Sequence, residues 1–330
     1  MWKSLKDRAE GVKEMKRMKT TEAVGQVLCH DITQIIPGVT KDAVFRKGHI
    51  IREEDIPVLL SVGKDSVYIW ENDETMMHEN DAAEVLYRMT ANEHMHPSDV
   101  KEGKIEAIAD TEGLLKVDRE KLKKVNAFGE MMIATRHGNT VVKKGDKLAG
   151  TRIIPLVIKK DKMQEAEKIC DGTPILKILP FTVKKAAIIT TGNEVYHGRI
   201  KDAFTPVIEQ KIAEFGAEMM FHEIFDDNDR KITDGCLRAI EAGADIVFCT
   251  GGMSVDPDDK TPLAIKNTGA EMISYGSPVL PGAMFLLSYY RKGDKVIPIC
   301  GLPGCAMYNR RTIFDLVLPR LMAAASNEPV

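Results

Sequence analysis

Ala186-Ala187-Ile188-Ile189-Thr190-Thr191-Gly192 and Ala244-Asp245-Ile246-Val247-Phe248-Cys249-Thr250-Gly251-Gly252 are two short, near-continuous apolar runs, each ending in threonine and glycine. Neither alternates polar with apolar residues. A strand of that kind is covered on both faces, and such strands spaced by helices form a largely parallel sheet. The intervening sequence fits. Pro206 to Phe215 reads as a helix closed by Gly216, Glu218 to Phe225 as a strand, and Arg230 to Ala242 as a second helix. Downstream come a shorter helix from Thr261 to Lys266, strands near Met272, Phe285 and Val296, and a last helix from Met307 to Met322. The fold class expected is α/β, a doubly wound and mostly parallel sheet preceded by a smaller β-rich α+β region.

In doubly wound sheets ligands sit at the carboxyl ends of the strands, which selects a few loops. They are Thr190-Thr191-Gly192-Asn193-Glu194-Val195, Thr250 to Asp259, and Gly301-Leu302-Pro303-Gly304-Cys305, with Pro278 to Ala283 nearby in sequence. Glycines let a backbone approach a ligand closely, and free N–H groups at a helix start favour anions. Taken singly, each loop also reads as an ordinary turn; their recurrence at consecutive strand ends favours a phosphate-type ligand. Asp256, Asp258 and Asp259 add three carboxylates to one loop, which suits a hard cation beside a phosphate or an acidic turn ahead of a helix. Asp226-Asp227-Asn228-Asp229 follows the strand ending at Phe225, with Asp229 as the expected helix N-cap. Gly252-Met253-Ser254-Val255-Asp256 lacks the final glycine of a nucleophile elbow. His94-Met95-His96 reads as a surface turn and Cys305 as a contact cysteine.

Upstream, residues 1–19 carry seven Lys or Arg against three acids and read as a basic leader. Residues 20–180 read as a β-rich region, with strands at Ala23–Leu28 and Asp65–Trp70, a short helix from Glu53 to Val62, and one amphipathic helix near 73–94. The whole chain has 330 residues, room for two or three domains. It holds 46 basic against 49 acidic side chains, a net charge of −3, so no nucleic-acid or membrane partner is expected from charge. The longest near-apolar stretch, Met284 to Tyr290, falls far short of the ~20 residues that cross a bilayer. Six cysteines without a C-x-x-C, and a basic N-terminus without an apolar signal core, suit a reduced, cytoplasmic protein.

Together the loops of residues 184–323 resemble the molybdopterin-binding domain shared by molybdenum cofactor biosynthesis proteins, and within it the molybdopterin molybdenumtransferase group. The family's T-G-[DN]-E-[LV] reads here as Thr191 to Val195, its G-x-I-x-D-[SA] as Gly198 to Ala203, and its double Asp as Asp226-Asp227. Its T-G-G-x-S is Thr250 to Ser254, with the later Asp at Asp259; P-G is Pro281-Gly282, and G-L-P-G is Gly301 to Gly304. The resemblance implies binding of molybdopterin or adenylyl-molybdopterin through Thr191, Gly192, Glu194, Gly251, Gly252, Ser254, Pro281, Gly282, Gly301, Pro303 and Gly304. It implies Asp259 and Asp227 as catalytic carboxylates and Asp259 with Asp256 as Mg²⁺ ligands. The implied reaction inserts molybdate and releases AMP, and relatives of the domain form homodimers or trimers.

The chain also departs from the group. The lysine common after P-G is Ala283, the polar residue after G-L-P-G is Cys305, and the G-E-x-D run is Asp256-Pro257-Asp258-Asp259. Residues 76–180 do not supply the group's Asp-Gly-Tyr motif. Two other readings therefore stand beside the transferase. One is a non-catalytic carrier or sensor of molybdopterin. The other is a nucleotide pyrophosphate hydrolase like competence-damage-inducible relatives, whose Pro-Asp-Asp loop Pro257-Asp258-Asp259 echoes.

Overall fold

The computed structural model describes residues 16–36, 40–69, 75–254, 256 and 259–323. Most of the basic leader, Trp70, the first two residues of the 73–94 helix, and Val255, Pro257 and Asp258 of the second loop therefore lie outside the described residues. The chain divides into two compact units. The second unit takes in residues 178–330 and also borrows Glu112–Lys116 and Asn139–Val142 from the N-terminal half.

In the first unit, helix α1 (Glu79–Thr90) buries Ala82, Ala83, Val85, Leu86 and Met89, which recur at helical spacing. The His78 side chain caps it by accepting the Asn80 N–H at 3.2 Å. This helix packs on an antiparallel sheet of β1 (Met95–Pro97), β2 (Lys104–Ala109), β3 (Met131–Thr135) and β4 (Lys147–Ile153), in the order β1-β2-β4-β3. Ile105, Ala107 and Ala109 alternate with more exposed neighbours along β2, so one face of the sheet is core and the other is outward. A smaller cluster of Leu28, Ile32, Ile51, Leu59, Val67 and Ile69 holds the first residues together.

The second unit is built on β5 (Lys185–Thr191), β6 (Glu218–Phe225), β7 (Ile246–Thr250), β8 (Glu271–Tyr275), β9 (Leu286–Lys292) and β10 (Lys295–Leu302). The spatial order is β6-β5-β7-β10-β9-β8. The first four strands run parallel, and β9 and β8 are added antiparallel. The pleat sends alternate residues to opposite faces. Ile188, Phe248 and Leu302 pack with α2 (Phe204–Ala213) and α5 (Ile313–Ala323) through Ile208, Ile212, Phe314 and Leu321. The Phe248 and Phe314 rings meet edge-on at 5.4 Å between centroids. Ala187, Ile189, Val247 and Ile299 pack on the other side with Ile232, Ala239 and Ile240 of α3 (Asp229–Glu241) and Ile265 of α4 (Thr261–Asn267). Both faces are covered by helices, the doubly wound α/β arrangement expected from the apolar runs.

Local expectations differ from the structure in informative places. Ala23–Leu28 is no strand; it follows a 3-10 turn at Thr20–Glu22, and only Val27 and Leu28 make isolated bridges. The helix near 73–94 is preceded by a strand at Met76–His78. Lys160–Cys170 forms a helix that the sequence pattern did not lead us to expect; Met163, Ala166 and Cys170 carry its buried stripe and Asp171, in left-handed conformation, ends it. The N-cap of α3 is Asn228, not Asp229: its side chain accepts the N–H groups of Arg230 and Lys231. The last helix does not run from Met307; Gly304–Met307 is a 3-10 turn and α5 begins at Ile313.

Candidate ligand-binding edge

Strand register brings the selected loops to one edge. Thr190 lies opposite Thr250, Thr250 opposite Leu302, and Thr191 opposite Phe225. Four parallel strands therefore end at the same level. The Thr191 and Thr250 loops are in direct contact. Gly251 has φ +84°, and a Cβ there would lie 2.1 Å from the Thr191 carbonyl oxygen. Gly252 has φ +54°, and a Cβ there would lie 2.8 Å from the Thr261 hydroxyl. That hydroxyl is 3.0 Å from the Thr191 hydroxyl, and the Thr261 N–H donates to the Gly252 carbonyl at 3.3 Å. Only glycine accepts both the backbone conformation and the approach.

Asp227 ties the first loop to the next strand end: its Oδ2 accepts the Asn193 N–H at 3.1 Å. Asp226 pairs through Oδ2 with Lys231 at 2.8 Å, while its Oδ1 is buried and met by no described group. The Thr250 hydroxyl is likewise buried without a partner. Unmet buried polar atoms are scarce in folded proteins. Two of them fall at the carboxyl ends of β6 and β7, where a polar ligand would supply partners.

The acidic loop is internally braced. The Asp256 N–H donates to Asp259 Oδ2 at 3.0 Å, and the Asp259 N–H donates to the Asp256 carbonyl at 3.0 Å. This leaves Asp259 Oδ1 outside that turn. The Tyr275 hydroxyl, at the end of β8, reaches the Met253 carbonyl at 3.1 Å and the Ser254 carbonyl at 3.4 Å. Burial raises the Tyr275 pKa, and the negative charge of Asp259 raises it further, so this hydroxyl stays a proton donor to the loop. Tyr275 carried no signal in the sequence.

The remaining predicted residues occupy separate stations. The Glu194 carbonyl accepts the Arg199 and Ile200 N–H groups, and its carboxylate lies beside Gly192. The Pro281 carbonyl accepts the Ile313 N–H at 3.1 Å, and Gly282, φ +125°, lies against Ile313. Gly301 sits against Met253. Pro303 precedes the 3-10 turn, and Gly304 faces open space. Burial pushes the Cys305 thiol up, which favours the protonated thiol over a thiolate.

Asp202, noticed in the sequence only as a motif position, holds the first loop's return. Its Oδ1 accepts the Phe204 and Thr205 N–H groups at 2.8 and 3.1 Å, meeting the first two N–H groups of α2 from one residue before its N-cap, Ala203. Its Oδ2 accepts the Thr205 and Thr190 hydroxyls at 2.5 and 3.0 Å and lies 3.5 Å from His222 Nε2. Burial alone would raise the Asp202 pKa, but these hydrogen bonds outweigh it and hold the carboxyl below its ordinary value. Folding therefore favours the ionised form. Its contribution is complete above the unfolded value near 4 and is lost as the pH falls through the lower folded value. Asp202→Ala leaves the Phe204 and Thr205 N–H groups without their acceptor and forces the Thr190 and Thr205 hydroxyls back onto each other and His222 Nε2, 3.1–3.2 Å away, an expected cost of about 1–2 kcal/mol at pH 7. Urea unfolding at pH 7 and pH 3 checks this: the gap between wild type and variant should narrow at pH 3.

Residues 187–323 match the family model of the "probable molybdopterin binding domain". A second model, of a domain of unknown function, matches residues 17–71. Among curated proteins the chain is 32% identical over 85 residues to a "putative competence-damage inducible protein" of Bacillus velezensis, covering 26% of this chain and 20% of that one. It is 30% identical over 129 residues to the protein of the same description in Bacillus cereus, covering 39% and 30%. The chain thus spans under a third of the length of these relatives. Among solved structures it is similar to the tungsten cofactor synthesizing protein MoaB of Pyrococcus furiosus, at 19% identity and a TM-score of 0.34, covering 42% of this chain and 89% of that one. Every strand-end loop described above falls inside the matched residues 187–323. No helix among the described residues is long and apolar enough to cross a membrane.

Proposed function

We propose that the strand-end loops bind the phosphate and pterin of adenylyl-molybdopterin and that the protein inserts molybdate with release of AMP in molybdenum cofactor maturation. The observation that supports this reading most is the close approach of Gly251 and Gly252 to Thr191 and Thr261. It gives a glycine-walled, hydroxyl-rich edge beside the unmet Thr250 hydroxyl and Asp226 Oδ1. In this reading Gly251, Gly252 and Ser254 hold the phosphate, and Gly301, Pro303 and Gly304 shape the pterin side.

Among the described residues no three His, Cys, Asp or Glu side chains are grouped to hold a metal ion. Mg²⁺ is ordinarily held by one or two carboxylates together with substrate phosphates, and Asp259 and Asp256, braced in one turn, fit that donor set. They would hold the cation, whose chemistry is to neutralise charge developing on the phosphate. The backbone N–H groups of the glycine loop would orient the same phosphate, and Asp227 would keep the neighbouring loop in place through Asn193.

The similarity to the competence-damage-inducible proteins favours a second reading, cleavage of a nucleotide pyrophosphate at the same acidic loop. One experiment separates the readings. Purified protein is incubated with adenylyl-molybdopterin and Mg²⁺, with and without molybdate, and AMP release and bound cofactor are followed together. Molybdate-dependent AMP release is expected. Molybdate-independent release would replace the transferase by the hydrolase, and tight binding without AMP would replace it by a carrier or sensor. Sedimentation of the same sample reads whether the protein is the expected homodimer or trimer.

A further inference from the structure

A cavity of about 410 Å³ lies in the N-terminal unit, on the outward face of the β1–β4 sheet. Its shape follows from the register. One rung across β2, β4 and β3 is Lys104, Arg152 and Met132; the next is Glu106, Gly150 and Ala134. Long side chains on the first rung stand beside a second rung whose centre has no side chain. Lys147, Leu148 and Arg136 close the far end. Glycine inside a strand weakens it and packs nothing. Gly150 nonetheless occupies the strand that pairs on both sides, and the pairing continues through it on both sides. Its backbone is not in the left-handed region, and a Cβ there would meet only the end of the Lys104 side chain, at 3.4 Å. The bulge in the β2–β4 pairing falls between Lys147 and Ala149, so Gly150 itself is in register with Glu106 and Ala134, and neither a turn nor a tight contact at its own position accounts for the glycine; a floor for something lying on the sheet does.

Charge indicates what lies there. The lining holds four cations and one carboxylate. Glu106 is shared by Lys104 at 2.7 Å and Lys147 at 2.6 Å, and these hydrogen bonds hold its carboxyl low. Arg136 is held by Asp146 through two hydrogen bonds, at 2.9 and 3.2 Å. Arg152 gives its Nε–H to the Ile153 carbonyl at 3.2 Å; Glu79 is within electrostatic reach, yet among the described residues no carboxylate forms an ion pair with it. The rung beside the floor thus keeps a guanidinium fork suited to a bidentate oxyanion. Met132, 41% exposed, offers an apolar wall at the same level.

We propose that this face is a second binding site, for a small molecule carrying one phosphate or carboxylate on an apolar ring or chain. The oxyanion sits on Arg152 with Lys104, and the apolar body lies over Gly150 and Ala134 against Met132. The probes are phenyl phosphate, benzoate and neutral phenol, titrated into the full chain and read by two-dimensional NMR of backbone amides. Phenyl phosphate or benzoate should shift amides of β2, β3 and β4, and whichever binds more tightly identifies the oxyanion; phenol should not. Arg152→Gln should weaken binding roughly tenfold or more. Gly150→Leu should fill the floor and abolish it, with Ala134→Leu as the equivalent if Gly150→Leu does not fold. Absence of shifts at millimolar probe overturns the proposal, as does binding that survives all three substitutions. So does a dimer that dissociates in the filled variants without any probe binding, since the face would then be a contact between copies. None of these readouts depends on the chemistry of the molybdopterin-binding domain.

Discussion

Gly251→Ala is expected to lower the melting temperature by roughly 5–15 °C and to abolish retention of molybdopterin by the purified protein. Two costs combine. A residue with a Cβ at φ +84° is strained by about 1–2 kcal/mol. The new methyl would also be 2.1 Å from the Thr191 carbonyl oxygen, which is backbone at the carboxyl end of β5 and cannot swing aside as a side chain would. The loop or the end of β5 must move. A total of about 2–4 kcal/mol corresponds to a shift of this size for a domain of 150–250 residues. Thermal melts followed by circular dichroism measure the first effect, and pterin fluorescence after gel filtration measures the second. Gly304→Ala is the control, because Gly304 faces open space and its φ is not left-handed. It should melt with the wild type. If its pterin retention still falls, Gly304 acts on the ligand and not on the fold. Wild-type melting and retention in Gly251→Ala would mean that the first and second strand-end loops are not locked together as described.

The same pair shows what sequence could and could not disclose. The unbroken apolar character of Ala186–Thr190 and Ile246–Cys249 made the parallel sheet and its carboxyl-end loops legible, because strands buried on both faces have no room for alternation. That Gly251 presses on Thr191 was not legible, since the contact depends on strand register across sixty residues. Tyr275 is a similar case: its hydroxyl meets the second loop only because β8 is added antiparallel at the far side of β9. Ala23–Leu28 misled in the opposite direction. Its apolar pattern reflects burial of Ala23 and Leu28 in a small cluster beside a 3-10 turn, and burial without ladder partners looks like a strand in sequence. The last helix starts at Ile313, six residues beyond the expected Met307, because Gly304–Met307 forms a short 3-10 turn and the helix is anchored where Thr312 and Asp315 form its first hydrogen bonds.

Asp259→Asn is expected to reduce molybdate-dependent AMP release by about 100-fold or more while changing pterin affinity by no more than a few-fold. The substitution is chosen for what it keeps. An asparagine oxygen can still accept the Asp256 N–H, now 3.0 Å from Asp259 Oδ2, and the return bond from the 259 N–H to the Asp256 carbonyl involves only backbone. The loop therefore retains its turn, and Tyr275 retains its hold on the Met253 carbonyl. What disappears is one negative charge and, in the proposed reading, the capacity to hold a divalent cation beside the phosphate. Removing a single group that stabilises charge developing in a transition state costs about 10²–10³ in rate in well-studied enzymes, whereas the glycine N–H groups proposed to hold the ground state are untouched. A split between turnover and binding is thus the signature of a carboxylate that acts on the reaction. Asp227→Asn makes the comparison sharper, because Asp227 Oδ2 accepts the Asn193 N–H and an asparagine preserves that bond too. If Asp227 serves mainly to join two loops, its variant should stay within about tenfold of wild type, and the steep loss should belong to Asp259 alone. Equal losses in both would make the two carboxylates partners in one cation site, and turnover within a few-fold of wild type in Asp259→Asn would remove the acidic loop from the chemistry altogether.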